Sequence, residues 1–137
     1  MADRLLLDTC AAVWLMAGEE LCAETVERMD QAARDGGLYV SPVTAWEIAM
    51  LVKKERLILT SRPQDWYEQL CALPGVTEHP VNARIFTESV DLPGDLHKDP
   101  ADRLFIATAR LGNLVLVTRD RKILGYSEQG HVRALAC

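Results

Sequence analysis

The sequence predicts an α/β domain with a mainly parallel central sheet. Short apolar runs that have the length of strands alternate with helical segments along the chain. Residues 114–117 are continuously apolar, which is typical of a central strand that helices cover on both faces. Because 137 residues can bury a sizeable core without disulfides or structural metals, we expect one domain over residues 1–137.

The predicted strands and helices follow one another without a linker, an internal repeat or a low-complexity segment. The predicted strands are residues 4–9, 38–40, 76–79 and 114–117, with an edge strand over residues 131–135. The predicted helices are residues 10–16, 19–34, 43–56, 63–73, 81–90 and 100–112, and residues 123–126 are expected to form a short turn.

Proline and glycine positions mark several helix ends. Pro42 and Pro100 suit the first helical position, where the missing N–H would have no partner within the helix. Ser41 and Asp99 are therefore predicted to be N-caps. Gly112-Asn113 indicates a left-handed helix stop.

The hydrophobic core is predicted to form around the sheet. We expect its centre to consist of Leu5, Leu7, Val40, Leu116 and Val117. Three residues of the flanking helices are expected to cover it, namely Trp46, Leu104 and Ile106.

Composition and charge exclude several classes of protein. The net charge of −5 argues against a simple basic surface for nucleic acid, although residues 97–122 hold six basic and three acidic residues. No apolar run reaches the length of a membrane span. The four cysteines are scattered and neither cysteine nor histidine has metal-ligand spacing, so we expect reduced thiols in a cytoplasmic protein that is not bound to a membrane.

Four acidic residues are predicted to meet at one edge of the sheet. Asp8 and Asp120 each follow a strand, and Glu47 lies one turn into the helix after the second strand. Asp102 lies in the first turn of a helix whose N-terminus is beside the carboxyl end of the following strand. Converging carboxylates repel one another unless a cation neutralises them, and oxygen ligands favour Mg²⁺ or Mn²⁺. This pattern indicates metal-assisted phosphodiester hydrolysis.

Each of these acids also has a purely structural interpretation. Asp99 and Asp102 fit an ordinary helix start, where a cap and a first-turn acid face the positive end of the dipole. Asp120 is open to the same interpretation in a helix that Thr118 caps, and Glu47 can point to solvent. Only their joint placement favours a metal site.

Four motifs resemble those of PIN-domain ribonucleases, and above all the VapC toxins of bacterial toxin–antitoxin pairs. The motifs are Leu-Leu-Leu-Asp8-Thr9, Ser41-Pro42-Val-Thr-Ala-Trp46-Glu47-Ile, Asp99-Pro-Ala-Asp102-Arg-Leu-Phe-Ile-Ala-Thr-Ala and Leu-Val-Thr118-Arg119-Asp120. They occur in the family's order and spacing from residue 4 to about residue 124. The resemblance implies a three-layer α/β/α sandwich and an endoribonuclease toxin.

The resemblance also implies roles for individual residues. Asp8, Glu47, Asp102 and Asp120 would form a catalytic Mg²⁺ or Mn²⁺ site. Asp99 would be an auxiliary acid, and Thr9 and Thr118 would be supporting hydroxyls. The implied partners are an RNA substrate, a VapB-like antitoxin whose tail covers the site, and a second copy in a homodimer.

Further residues are assigned from the sequence pattern alone. Arg119, Arg121 and Lys122 flank Asp120 and either contact RNA phosphate or face water. Part of the apolar surface of the first two helices, notably Val13, Trp14, Leu15 and Met16, is expected to bind the antitoxin, unless Trp14 simply packs against the helix over residues 19–34.

Two other classes remain open at this stage. A receiver-like signalling domain also gathers acids and Mg²⁺ at this edge, but it needs adjacent acids after its first strand and a lysine after a late strand. Asp8 is followed by Thr9, and Val117 by Thr118-Arg119. The second alternative, an inactive PIN-like interaction module, is disfavoured by the intact acids.

Overall fold

A five-stranded sheet lies between two layers of helices in the computed structural model, which describes residues 3–137. The strands are β1 (Leu5–Leu7), β2 (Leu38–Val40), β3 (Val76–Glu78), β4 (Val115–Thr118) and β5 (Ala134–Ala136). The helices are α1 (Thr9–Ala17), α2 (Ala23–Arg34), α3 (Pro42–Lys53), α4 (Pro63–Cys71), α5 (Ala83–Val90), α6 (Pro100–Gly112) and α7 (Arg121–Glu128).

The order of the strands creates a crevice beside β1. The sheet order is β3-β2-β1-β4-β5 and every pairing is parallel, so the expectation of a mainly parallel sheet is confirmed. From β1 the chain first builds β2 and β3 on one side, and it then returns to add β4 and β5 on the other. Ligands of open α/β sheets bind where the strand order reverses, outside the carboxyl ends of the strands. In this sheet that point lies between β1 and β4.

Alternating side chains of the central strands supply two separate cores. Leu5 and Leu7 pack on one face of the sheet, in a cluster that includes residues of α1, α2 and α4. Leu6 and Leu116 pack on the other face, against residues of α5, α6 and α7. Both faces of β1 and β4 are covered, which explains their continuous apolar sequences. The predicted three-layer α/β/α arrangement is confirmed.

The predicted core is confirmed except for one residue. Leu5, Leu7, Val40, Leu116 and Val117 are all fully buried, and so is Ile106. Trp46 was wrongly assigned to the core, because its side chain is 46% exposed. Val43 and Ile48 are the residues through which α3 joins the two apolar clusters.

Several predicted boundaries differ from the structure. Residues 121–128 form a full helix where a short turn over residues 123–126 was expected, and Asp120 rather than Thr118 provides its side-chain cap. α2 begins at Ala23 instead of residue 19. The left-handed stop of α6 falls on Asn113, whose φ is 52°. None of the helices in residues 3–137 has the length and hydropathy needed to span a membrane.

Replacement of Leu116 by alanine tests the central position of β4. Leu116 is fully buried between two strands and a helix layer, so Leu116→Ala should lower the free energy of unfolding by about 2 to 5 kcal/mol. Ile58 is 93% exposed, and Ile58→Ala should therefore change stability by less than about 0.5 kcal/mol. Chemical denaturation of both variants measures the difference, and equal effects would contradict the strand order.

Candidate metal centre

Thr118 connects the acids that follow the two central strands. Its hydroxyl donates a hydrogen bond to Asp8 Oδ2 at 2.5 Å and accepts one from the Asp120 backbone N–H at 3.0 Å. Thr118 is fully buried and Asp8 is 5% exposed. Because β1 and β4 are paired neighbours, their carboxyl ends bring Asp8 and Asp120 to the same crevice.

Asp8 and Asp120 are also N-caps. Asp8 Oδ1 accepts a hydrogen bond from the Ala11 N–H at 2.8 Å, at the start of α1. Asp120 Oδ1 accepts bonds from the N–H groups of Lys122 and Ile123 at 2.8 and 3.1 Å, at the start of α7. Asp120 Oδ2 has no hydrogen bond among the described residues, so it remains available to a ligand.

Glu47 reaches the same region from α3. The Thr9 hydroxyl donates a hydrogen bond to Glu47 Oε1 and lies 3.4 Å from the Thr44 hydroxyl. The Glu47 side chain is half-buried. The alternative in which Glu47 points fully into solvent is therefore not observed.

Asp99 and Asp102 have different environments at the start of α6. Asp99 is exposed and its Oδ1 accepts a hydrogen bond from the Asp102 N–H at 3.0 Å, as expected for the N-cap. Asp102 Oδ2 is hydrogen-bonded to His97 Nε2 at 2.6 Å. One ligand atom from each of His97, Asp102 and Asp120 lies within 4.8 Å of the other two. Asp102 therefore faces the cluster, whereas Asp99 supports the helix start.

Burial and mutual repulsion raise the pKa of three of these carboxyl groups. Burial raises the pKa of Asp8 to about 6, and the charges of Asp102 and Asp120 add to the shift. Burial likewise raises the pKa of Glu47 to about 7, with contributions from Asp102, Asp99 and Asp8. The pKa of Asp102 is raised by burial and by Asp99 and Asp120, although the bond to His97 opposes the shift. These shared effects indicate that the four acids form one electrostatic cluster.

The donor set suits a divalent cation. Within residues 3–137, no lysine or arginine forms an ion pair with any of the four acids. In this range only His97, which lies 2.6 Å from Asp102, could form one. Buried carboxylates without a compensating charge are costly. Oxygen atoms of Glu47, Asp102 and Asp120 are left without hydrogen bonds in this part of the chain, and hard cations prefer such ligands. The residues present therefore fit a bound divalent metal.

Three residues near the acids were missed from the sequence. His97 was overlooked because histidine was sought at zinc-type spacing, yet it lies five residues before Asp102 in the loop that leads to α6. Thr44, one helical turn before Glu47, is a fully buried threonine beside Thr9. Burial and the charges of all four acids raise the pKa of the Cys10 thiol to about 11, so this side chain borders the cluster.

The three basic residues around Asp120 are not equivalent. Arg119 donates hydrogen bonds to the carbonyls of Cys137 and Glu20 at 2.6 and 3.1 Å, and its guanidinium lies 3.8 Å from the centre of the Trp14 ring. Arg119 therefore connects Trp14 of α1 and the following Glu20 with Cys137. Arg121 and Lys122 are exposed, and their side chains form no hydrogen bond or ion pair with other residues in the described range.

Replacement of Glu47 by glutamine should show the cost of its buried charge. Glu47 has a pKa of about 7 in the folded protein and an ordinary value near 4.5 when unfolded, so the folded state binds more protons between these values. The contribution of this group to stability is complete below pH 4.5 and is lost as the pH rises through 7. Glu47→Gln should therefore raise the melting temperature of the metal-free protein near pH 8, with little change near pH 5.

Thermal unfolding in a chelating buffer across this pH range measures the effect. Glu27→Gln is the matched control, since Glu27 is exposed and has no side-chain partner among residues 3–137. A larger difference near pH 5 than near pH 8 would contradict the assigned cause.

The family and a sequence relative agree with this fold. A family model described as "PIN domain" matches residues 5–128. The chain is 30% identical over 123 residues to Ribonuclease VapC22 of Mycobacterium tuberculosis. The aligned region covers 87% of this chain and 88% of that protein.

Solved structures share the fold at low sequence identity. VapBC2 from Rickettsia felis, bound to a DNA fragment from its promoter, has a TM-score of 0.70 at 14% identity and covers 96% of this chain and 97% of that chain. DNA-bound VapBC from Salmonella typhimurium has a TM-score of 0.68 at 15% identity and covers 98% of both chains. The chain belongs to the PIN-domain family.

Proposed function

We propose that this protein is a metal-dependent endoribonuclease that acts as the toxin of a toxin–antitoxin pair. The observation that carries the proposal is the convergence of Asp8, Glu47, Asp102 and Asp120 in the crevice between β1 and β4, where no lysine or arginine of the described chain compensates their charge. The 30% identity to a protein named as a ribonuclease supports the reaction class. The reaction is hydrolysis of RNA phosphodiester bonds.

The chain's residues would prepare the site in the following way. Asp8, Glu47, Asp102 and Asp120 would hold the cation, with Thr9 and Thr118 fixing two of the carboxylates by hydrogen bonds. A bound Mg²⁺ or Mn²⁺ supplies an activated water and stabilises negative charge on the departing oxygen. Oxygen donors favour these two ions over softer metals. Asp99 would act indirectly, by capping the helix that carries Asp102.

Backbone contacts to RNA would come from the start of α7. The exposed side chains of Arg121 and Lys122 lie directly after Asp120 and are available to phosphate oxygens. The N-termini of α1, α6 and α7 also point their positive ends toward this edge, which favours an anionic substrate. Arg119 is also exposed, but its guanidinium already contacts Cys137, Glu20 and Trp14, so it is a weaker candidate for this role.

The partner proposed for inhibition is a VapB-like antitoxin. Solved structures with this fold include VapBC complexes and a toxin–antitoxin complex from Klebsiella pneumoniae. A basic side chain in the antitoxin tail would supply the positive charge that the acid cluster lacks. Val13, Trp14, Leu15 and Met16 pack partly against the core, so α1 offers less free apolar surface than its sequence indicates.

We also propose a location and a domain assignment. An RNA-cutting toxin acts where RNA and its antitoxin are made, so we propose that the protein is cytoplasmic. We assign residues 1–137 to one PIN-like domain.

The homodimer is proposed to form through an apolar groove between α3, α5 and the start of α6. The groove has a volume of about 1100 Å³ and its lining includes Trp46, Phe86 and Val90. These side chains are 46%, 53% and 79% exposed. In a twofold interface the same patch contacts itself, and projecting aromatic residues beside an apolar groove meet that requirement. Lys98 and Arg103 are the charged residues of its lining, and the other lining residues are uncharged, so the groove is mainly apolar.

The two other classes of function have lost support. The PIN-domain match over residues 5–128 leaves no basis for a receiver-like signalling domain. An inactive interaction module does not require four acids held together in a crevice, three of which have raised pKa values.

Asparagine substitutions at Asp102 and Asp99 separate the metal role from the capping role. Asp102→Asn should abolish Mg²⁺-dependent cleavage of RNA while leaving the fold intact, because it removes a charge that the cation requires. Asp99→Asn should retain measurable cleavage, since asparagine also caps helices. Both variants are compared with the wild type and with Asp8→Asn for cleavage of total RNA and for the Mn²⁺-induced rise in melting temperature. Full activity of Asp102→Asn would refute the proposed site.

Substitution of Phe86 tests the homodimer. Phe86→Ser should convert a dimer into a monomer that keeps its fold, because Phe86 is half-exposed within one copy. Ile58→Ser, at a position 93% exposed and outside the groove, should leave the dimer intact. Light scattering after size-exclusion chromatography measures the mass, and a monomeric wild type at micromolar concentration would contradict the proposal.

A further inference from the structure

His97 forms part of the wall of the acid cluster. Its Nε2 atom lies 2.6 Å from Asp102 Oδ2, and its side chain is 17% exposed. The same ring belongs to the group of ligand atoms within 4.8 Å that includes Asp120. An imidazole thus contacts a proposed metal ligand directly, although the capping and metal roles of the acids do not require it.

The loop that carries His97 is held by hydrogen bonds to its backbone. The Arg103 guanidinium donates to four carbonyls on both sides of the loop, those of Ser89, Val90, Leu96 and His97, at 2.8 to 3.5 Å. The Tyr126 hydroxyl donates to the Pro93 carbonyl in the middle of the loop. These contacts tie the loop to α6 and α7. His97 is consequently presented to Asp102 by a fixed segment of backbone.

The second ring nitrogen indicates which role the imidazole has. His97 Nδ1 is buried and has no hydrogen-bond partner in the described part of the chain. An N–H at Nδ1 would lose its hydrogen bond on folding, so the favoured tautomer carries the hydrogen on Nε2 and donates it to Asp102. A histidine that ligates a metal through Nε2 normally secures its Nδ1–H with an acceptor, and none is present within residues 3–137.

We propose that His97 is a positioning residue of the metal site: the hydrogen bond from Nε2 fixes the Asp102 carboxylate through Oδ2 and leaves Oδ1 for the cation. The inference rests on the proposed metal-dependent function. Partners in the shell outside the ligands orient metal-binding carboxylates, and their loss typically lowers metal affinity or activity by about 10-fold to 100-fold. His97 is therefore required for tight metal binding without touching the metal.

Titration calorimetry with Mn²⁺ alone, on the full chain, tests the inference. His97→Ala should weaken Mn²⁺ binding by about 10-fold to 100-fold. His97→Gln should recover most of the affinity, because the glutamine amide nitrogen can occupy the place of Nε2 and donate to Asp102. His79→Ala is the matched control. The side chain of His79 contacts the Pro80 carbonyl and the Tyr39 ring, away from the acids, so this variant should bind Mn²⁺ as tightly as the wild type.

Each alternative result overturns the inference in a distinct way. Unchanged affinity in His97→Ala would show that the hydrogen bond has no role in metal binding. Equal losses in His97→Ala and His97→Gln would exclude the donor role and would indicate direct ligation by the imidazole. Melting temperatures without metal identify a variant that has simply lost its fold.

Failure of the proposed function gives a different pattern. If the wild type binds Mn²⁺ but cuts no RNA, the ribonuclease proposal fails while the affinities of the His97 variants still decide the positioning role. If the wild type binds no Mn²⁺, both proposals are wrong.

Discussion

Repulsion among four carboxylates is the constraint around which the functional edge of this protein is built. Asp8, Glu47 and Asp102 have raised pKa values because burial and their acidic neighbours disfavour the charged forms. Among the described residues, hydroxyl and N–H donors rather than lysine or arginine offset this repulsion. Thr9 and Thr118 hold two of the acids, and helix N-termini face the others. Such a site stores unfavourable electrostatic energy that a divalent cation would relieve.

Capping and metal binding are compatible at the same residue, since a carboxylate has two oxygens. Asp120 uses Oδ1 to cap α7, and its Oδ2 has no hydrogen bond among residues 3–137. Asp102 Oδ2 is hydrogen-bonded to His97, and Asp102 Oδ1 has no hydrogen bond among the described residues. Glu47 accepts from Thr9 through Oε1 alone. The protein donors fix each side chain, and the remaining oxygens are left for a ligand. The structural and catalytic interpretations of these acids are therefore not alternatives.

The sequence predicted what depends on local pattern and missed what depends on tertiary contacts. Continuous apolar runs located β1 and β4, and parallel topology then brought Asp8 and Asp120 to one edge. Trp46 was misplaced because apolar spacing does not say which side of α3 meets the sheet and which meets an open groove. His97 was overlooked, and the contacts of Arg119 within the protein were not foreseen, for a similar reason. The contact of His97 depends on a loop that Arg103 holds in place. The partners of Arg119 are the carbonyls of Cys137 and Glu20, and the latter is distant in sequence.

We propose that the carboxylates at the β1–β4 edge bind a divalent cation together. Anomalous diffraction from crystals soaked in Mn²⁺ tests it most directly, because the signal locates the metal independently of catalysis. We predict a peak within coordination distance of carboxylate oxygens from Asp8, Glu47, Asp102 and Asp120, with His97 hydrogen-bonded to Asp102 but outside the coordination sphere. No peak at this edge, or a peak elsewhere on the surface, would contradict it.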